Sequence, residues 1–200
     1  MGRARDLANI LSSSGNVALD SELGLSLITP TSIAVAGGSG SINANGVVTF
    51  SSGSSVSLNG CFTSTYDNYR LIINLETTSS GTTSSLRLRA SGTDNSSSNY
   101  ASMNHFLTTV NTNYTQSNQN TTTNFRVGFS DGGTDMAIID IFNPMKALRT
   151  GYQCVFNGKD GANFTSETTR GQMSVTTAYD GFTYIQNSMA GTIRVYGYRN

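Results

Sequence analysis

The sequence predicts an all-β protein, an antiparallel jelly-roll-like β-sandwich preceded by a short N-terminal helix or extended attachment arm. Three observations point there. Short runs of β-branched and aromatic residues recur roughly every 10 residues from position 46 onward, the spacing of a sandwich or barrel. Gly-, Asp- and Ser-rich clusters punctuate these runs. Nothing after residue 30 carries the apolar period of a long helix. At 200 residues the chain has the length of one domain with a short appendage, divided here into an attachment segment, 1–30, and a sandwich, 31–200.

Taken in order, Arg3–Leu11 sets Leu7, Ile10 and Leu11 on one stripe of a short helix that Ser12-Ser13-Ser14-Gly15 halts. So short a helix is marginal alone in water and needs a surface, its own domain's or another protein's. Asn16 to Pro30 reads as an extended connector, and Ile33-Ala34-Val35-Ala36 runs into the turn cluster Gly37-Gly38-Ser39-Gly40. Strands are expected at Gly46–Phe50, Ser55–Leu58, Asn68–Glu76, Ser85–Ala90, Asn99–Leu107 and Thr122–Phe129. Further strands are expected at Met136–Phe142, Tyr152–Phe156, Gln172–Thr177, Thr183–Ile185 and Thr192–Tyr198.

Alternation assigns their faces. Tyr69, Leu71, Ile73 and Leu75 oppose Arg70, Ile72 and Asn74, while Ile193, Val195 and Gly197 oppose Arg194, Tyr196 and Tyr198. Ile138–Phe142 is apolar on both faces apart from Asp140, the pattern of a central strand. The connectors Ser79–Ser84 and Ser130–Asp135 are turn chemistry. Thr108–Thr123, studded with Asn around Tyr114, reads as an exposed loop or hairpin tip, either plain surface or ligand-binding.

Composition narrows the function classes. Ser, Thr and Asn number 28, 26 and 20, only 12% of residues are charged, and Lys+Arg balance Asp+Glu at 12 each. An average domain is about 25% charged. With no clustered positive excess, neither nucleic acid nor an acidic membrane is an expected partner. No apolar run reaches the roughly 18 residues of a bilayer span. The apolar stretch Leu7–Leu11 after the charged Gly2–Asp6 is too short for a secretory core, so synthesis in the cytoplasm is expected. So little charge suits burial between subunits, or hydration by hydroxyls and amides.

Chemistry-bearing residues are sparse. The one histidine, His105, lies in a strand run with no nucleophile elbow beside it. Cys61 and Cys154 fit no zinc spacing and read as buried small hydrophobes or, alternatively, a disulfide. Asp131-Gly132-Gly133-Thr134-Asp135 has oxygen ligands but lacks the full calcium-loop pattern and reads as a turn. No catalytic residue, metal or cofactor is expected. Nine tyrosines without a tryptophan are more suggestive. Tyr114, Tyr179, Tyr184, Tyr196 and Tyr198 are candidate contacts for a receptor or partner, or else cross-strand pairs shielding a sheet.

The opening Met1–Leu11 with its Ser/Gly break resembles the N-terminal virion-attachment peptide of tail-fibre and related structural proteins of marine tailed phages, cyanophages and pelagiphages among them. The body resembles the small β-domain of such virion proteins at Phe62–Leu71, Leu86–Gly92, Ile139–Pro144 and Gly191–Tyr198. The resemblance implies a jelly-roll-like homotrimer located in the virion, assembled in the host cytoplasm, with Arg3, Arg5, Leu7, Ile10 and Leu11 as the docking residues. It further implies a short tail fibre or spike that reaches other virion proteins and a host surface glycan. Alternatives are a capsid decoration or cement protein, a carbohydrate-binding module, and a polysaccharide hydrolase whose best candidates are Asp140 and His105.

Overall fold

The structure, a computed structural model, describes residues 24–78, 81–109 and 115–198. The expected Arg3–Leu11 helix with its five docking residues, and Tyr114, lie outside the described residues. Within them the chain is all-β. The first seven strands are β1 (Leu25–Ile28), β2 (Ser32–Ala36), β3 (Ser39–Ile42), β4 (Val48–Asn59), β5 (Asn68–Thr77), β6 (Thr82–Ala90) and β7 (Thr93–Asp94). They are followed by β8 (Tyr100–Thr108), β9 (Thr115–Thr122), β10 (Phe125–Ser130), β11 (Asp135–Phe142), β12 (Gly151–Asp160), β13 (Asn163–Met173) and β14 (Gly181–Tyr198).

Every pairing is antiparallel. The hydrogen-bonded order β10-β6-β14-β5-β11-β12-β13-β8-β9 sets β14 between β5 and β6 and β8 beside β13, a wound order around the β11-β12-β13 meander. The sheet folds over itself along β14. Its first half lies between β4 and β6, with Tyr184 opposite Val56 and Leu86. Its second half runs beside β5, with Ile193 opposite Ile73. Between them the register slips and Ser188 takes a φ of 46°. That bulge moves the core face from Phe182 and Tyr184 to Met189, Ile193 and Val195, all fully buried.

Across the resulting gap β10 packs on β12, where the Phe125 and Tyr152 rings stack at 3.9 Å. The contact is so close that a methyl on Gly128 would stand 2.2 Å from Phe156 Cγ. One ion pair also crosses the layers. Glu167 of β13 is fully buried, takes Arg126 of β10 through Nη2 at 3.1 Å and through Nε, and accepts Asn104 Nδ2 of β8 at 2.7 Å.

Tyrosines fill much of the interior, and three of them bond their hydroxyls to backbone. Tyr69 donates to the Thr63 carbonyl at 2.6 Å and accepts the Thr63 N–H at 2.7 Å. Tyr100 donates to the Asn95 carbonyl at 2.8 Å, and Tyr152 to that of Arg126 at 2.9 Å. This division of a ring from a polar tip suits a core with no Trp.

Several expectations are corrected. β1 is hydrogen-bonded along β14, so the folded unit takes in Leu25–Ile28 and does not begin at residue 31. The Gly37–Gly40 cluster is a turn only at its start, since β3 begins at Ser39. Thr115–Thr122, expected inside an exposed loop or hairpin tip, is a full strand, β9, that pairs back on β8, whose partner edge local composition does not reveal. Adjacent expected strands merge into β4 and β14. β13 runs from Asn163 to Met173, so the strand expected at Gln172–Thr177 keeps only its first two residues, and the rest of β13 is a polar run whose alternation is Thr and Glu inward. Cys61 and Cys154, by contrast, are buried free thiols, as their reading as small hydrophobes expects, and the alternative of a disulfide is not taken.

Glu167→Ala should lower the unfolding free energy by about 3–5 kcal/mol in a urea titration, because Arg126 is left partly buried without its counter-charge. Gly128→Ala should cost about 1–3 kcal/mol in the same measurement, the overpacking strain of a methyl driven into the Phe156 ring.

Candidate functional site

Alternation in β8, β11, β12 and β13 turns every second side chain away from the core. Six of the eight large apolar side chains exposed among the described residues stand on this one face. They are Met103, Leu107, Met136, Ile138, Val155 and Phe164, each between 44% and 55% exposed. Register aligns them in rows: Ile138 opposite Val155, Val155 opposite Thr168, and Thr168 opposite His105. The next row runs Arg70, Asp140, Gln153, Arg170 and Met103.

At the β5 side of that row sits a compact polar cluster. Arg70 donates Nε to Asp140 Oδ1 at 2.7 Å and Nη2 to Oδ2 at 2.8 Å. The Tyr198 hydroxyl donates to Oδ1 at 2.6 Å, and Gln153 Nε2 to Oδ2 at 3.2 Å. The Arg70 guanidinium lies 5.4 Å from the centre of the Tyr198 ring. Burial alone pushes the Asp140 carboxyl up, but the donors from Arg70, Tyr198 and Gln153 outweigh it and hold the carboxyl below its usual range. Burial, followed by the bond to Asp140, pushes the Tyr198 phenol up to about 12. Asp140 is thus a fixed, fully engaged anion that anchors β5, β11, β12 and the end of β14.

Beside this cluster the face dips into a groove of about 390 Å³, walled by Ile138, Asp140, Gln153, Val155, Thr168 and Arg170. Arg170 is exposed and has no ion-pair partner among the described residues. The outer faces of β5, β11, β12, β13 and β14 present Arg70, Lys159, Arg170 and Arg194 against Glu76 and Asp140, although the whole chain is neutral. The groove's floor touches Cys154, whose thiol burial pushes upward in pKa, away from nucleophilic use.

The tyrosines sort cleanly. Tyr196 and Tyr198 are half-buried on the outer side of β14, as alternation predicts, with Tyr198 bonded into the Asp140 cluster. Tyr184 and Tyr179 are not surface contacts. Tyr184 is fully buried between β4 and β6, and Tyr179 is 1% exposed with its hydroxyl accepting Asn95 Nδ2 at 2.6 Å. Gln153, Thr168 and Arg170 were not among the expected site residues. The signal that pointed nearest was the pair of opposed polar residues in two apolar strands, Arg70 and Asp140, which register brings together.

A second carboxylate behaves oppositely. Asp135 opens β11 with 1% exposure; its Oδ2 accepts Thr78 Oγ1 at 3.2 Å, while Oδ1 has no hydrogen-bond partner. Burial raises its pKa above the usual value, with the Ser130 and Thr78 hydroxyls only partly offsetting this.

Compared with family models, with curated proteins and with solved structures, the chain shows no match to any of the three.

The two carboxylates should give opposite pH signatures. The lowered pKa of Asp140 adds stability that is present above the unfolded value of about 3.9 and is lost as pH falls through the folded value. Asp140→Asn should therefore cost about 1–3 kcal/mol at pH 7 and flatten the acid limb of a melting-temperature profile. The raised pKa of Asp135 adds stability that is present below about 3.9 and is lost as pH rises through its higher folded value. Asp135→Asn should therefore melt above the parent at pH 7, with the gap closing in acid.

Proposed function

We propose that this protein is a non-enzymatic virion component of a tailed phage, of short tail-fibre or spike type, that docks through its N-terminal segment and projects the sandwich toward a host surface. The observation that carries this reading is the mixed aliphatic and cationic outer face of β8, β13, β12 and β11. A solvated sheet face ordinarily alternates to polar residues. Here Met103, Met136, Ile138 and Val155 flank Arg170, with Asp140 neutralised by Arg70. Met and Arg are the types enriched where surfaces meet partners, while Lys, Glu and Asp are depleted. The Arg3–Leu11 stripe and the resemblance of the chain to marine phage virion proteins supply the virion setting. The low overall charge suits assembly with further copies of the chain, a homotrimer in the resembling proteins, and with other virion proteins.

Deleting residues 1–15 should leave a folded sandwich with unchanged circular dichroism that is missing from purified particles. Particles carrying the truncated chain at normal copy number would overturn the docking role.

A further inference from the structure

We infer that the groove beside Arg170 binds a carboxylated sugar residue, of the uronic- or sialic-acid kind, at the end or along the chain of a surface polysaccharide. The inference rests on the proposed contacting role of this face and names its ligand.

Three properties of the groove select that chemistry. The first is charge. Of the two guanidiniums lining it, that of Arg70 is committed to Asp140 through two hydrogen bonds, so the groove's remaining cation is Arg170. An unpaired guanidinium presents a planar fork that a carboxylate accepts in two parallel hydrogen bonds. The cationic excess of the surrounding face argues against a second copy laid on it face to face, since that would bring Arg170 and Arg194 toward their own like charges.

The second is the spacing of polar and apolar groups. Gln153, held through its amide nitrogen by Asp140, keeps its side-chain carbonyl as an acceptor, and Thr168 brings a hydroxyl on the neighbouring strand. Beside them Ile138 and Val155, 44% and 46% exposed and opposite one another on β11 and β12, form an apolar step. A sugar ring has this same alternation, hydroxyls at its rim and C–H groups on its face. The carboxylate would meet Arg170, the rim hydroxyls Gln153 and Thr168, and the C–H face Ile138 and Val155.

The third is preorganisation. Asp140 ties Arg70, Gln153 and Tyr198 from separate strands, so the Gln153 acceptor is fixed before any ligand arrives. Fixing a side chain in advance removes an ordering cost that binding would otherwise carry. The volume of about 390 Å³ lies at the lower end of small-ligand clefts, which hold roughly 300–1,000 Å³, and suits one sugar residue better than a long oligosaccharide.

The test is a backbone-amide NMR titration of the full chain with glucuronate and N-acetylneuraminate, alongside glucose and acetate. The acidic sugars should shift the amides of residues 138–140, 153–155 and 168–170 saturably in the millimolar range, and glucose should not. Arg170→Met, which leaves the Asp140 cluster whole, should weaken the acidic sugars about tenfold or more. Arg149→Met, on an exposed loop elsewhere, should leave them unchanged. Acetate binding as tightly as glucuronate would reduce the groove to a bare anion site and overturn the inference. So would glucose matching the acidic sugars, or Arg170→Met having no effect. If the same amides shift on raising protein concentration without sugar, a second copy occupies the face and the inference fails. A chain that enters particles normally but binds no acidic sugar removes this inference alone, while one that binds the sugar yet never enters particles removes the virion role alone.

Discussion

One strand holds the two layers to a single geometry. β14 runs 18 residues and is hydrogen-bonded to β4 and β6 over its first half and to β5, β4 and β1 over its second. A strand that belongs to both layers fixes their separation and their relative rotation at once. The slip at Ile185–Gly191 lets it do so. Without that slip, the alternation that points Phe182 and Tyr184 into the core would point Ile193 and Val195 out of it. The other interlayer contacts, the Phe125–Tyr152 stack and the Arg126–Glu167 pair, depend on the spacing that β14 sets.

The same constraint explains how far local pattern reaches. Period-two alternation is a local property, and wherever it is strong it places residues correctly, as with Tyr69, Leu71, Ile73 and Leu75 inside and Arg194, Tyr196 and Tyr198 outside. The existence and approximate extent of β5, β6, β8, β11 and β12 are legible from it. Partnership is not local. β9 and most of β13 have Thr, Asn, Ser and Gln where a strand usually carries branched or aromatic side chains, and they extend because a neighbouring edge takes their backbone hydrogen bonds. The joining of two expected strands into β14 is equally hidden, since its bulge reads locally as a break.

The site is legible in its chemistry but not in its assembly. Arg70 and Asp140 each stand out as the one charge inside an apolar run, Tyr69–Leu75 and Ile138–Phe142, and only the antiparallel register of β5 with β11 makes them opposite one another. The tyrosines mislead for a physical reason. An amphipathic ring serves a surface and an interior equally well, provided that an interior hydroxyl finds a partner. Tyr69, Tyr100 and Tyr152 find theirs on backbone carbonyls, and Tyr179 on the Asn95 side chain. The central-strand pattern of Ile138–Phe142 misleads in the other direction. β11 is central in its layer, yet its outer side is left open, and that is why Ile138 belongs to the groove.

The edge formed by β9 is of a different kind. Natural sheets guard their last strand with charge, proline or a strong twist. Thr115–Thr122 carries neither a charged residue nor a proline, and Asn118, Gln119 and Asn120 have side-chain amides of the sort that stack in register along a growing ladder. Among the described residues β9 is hydrogen-bonded to β8 alone, so an extended backbone added along its other side would lengthen the sheet rather than cover its face.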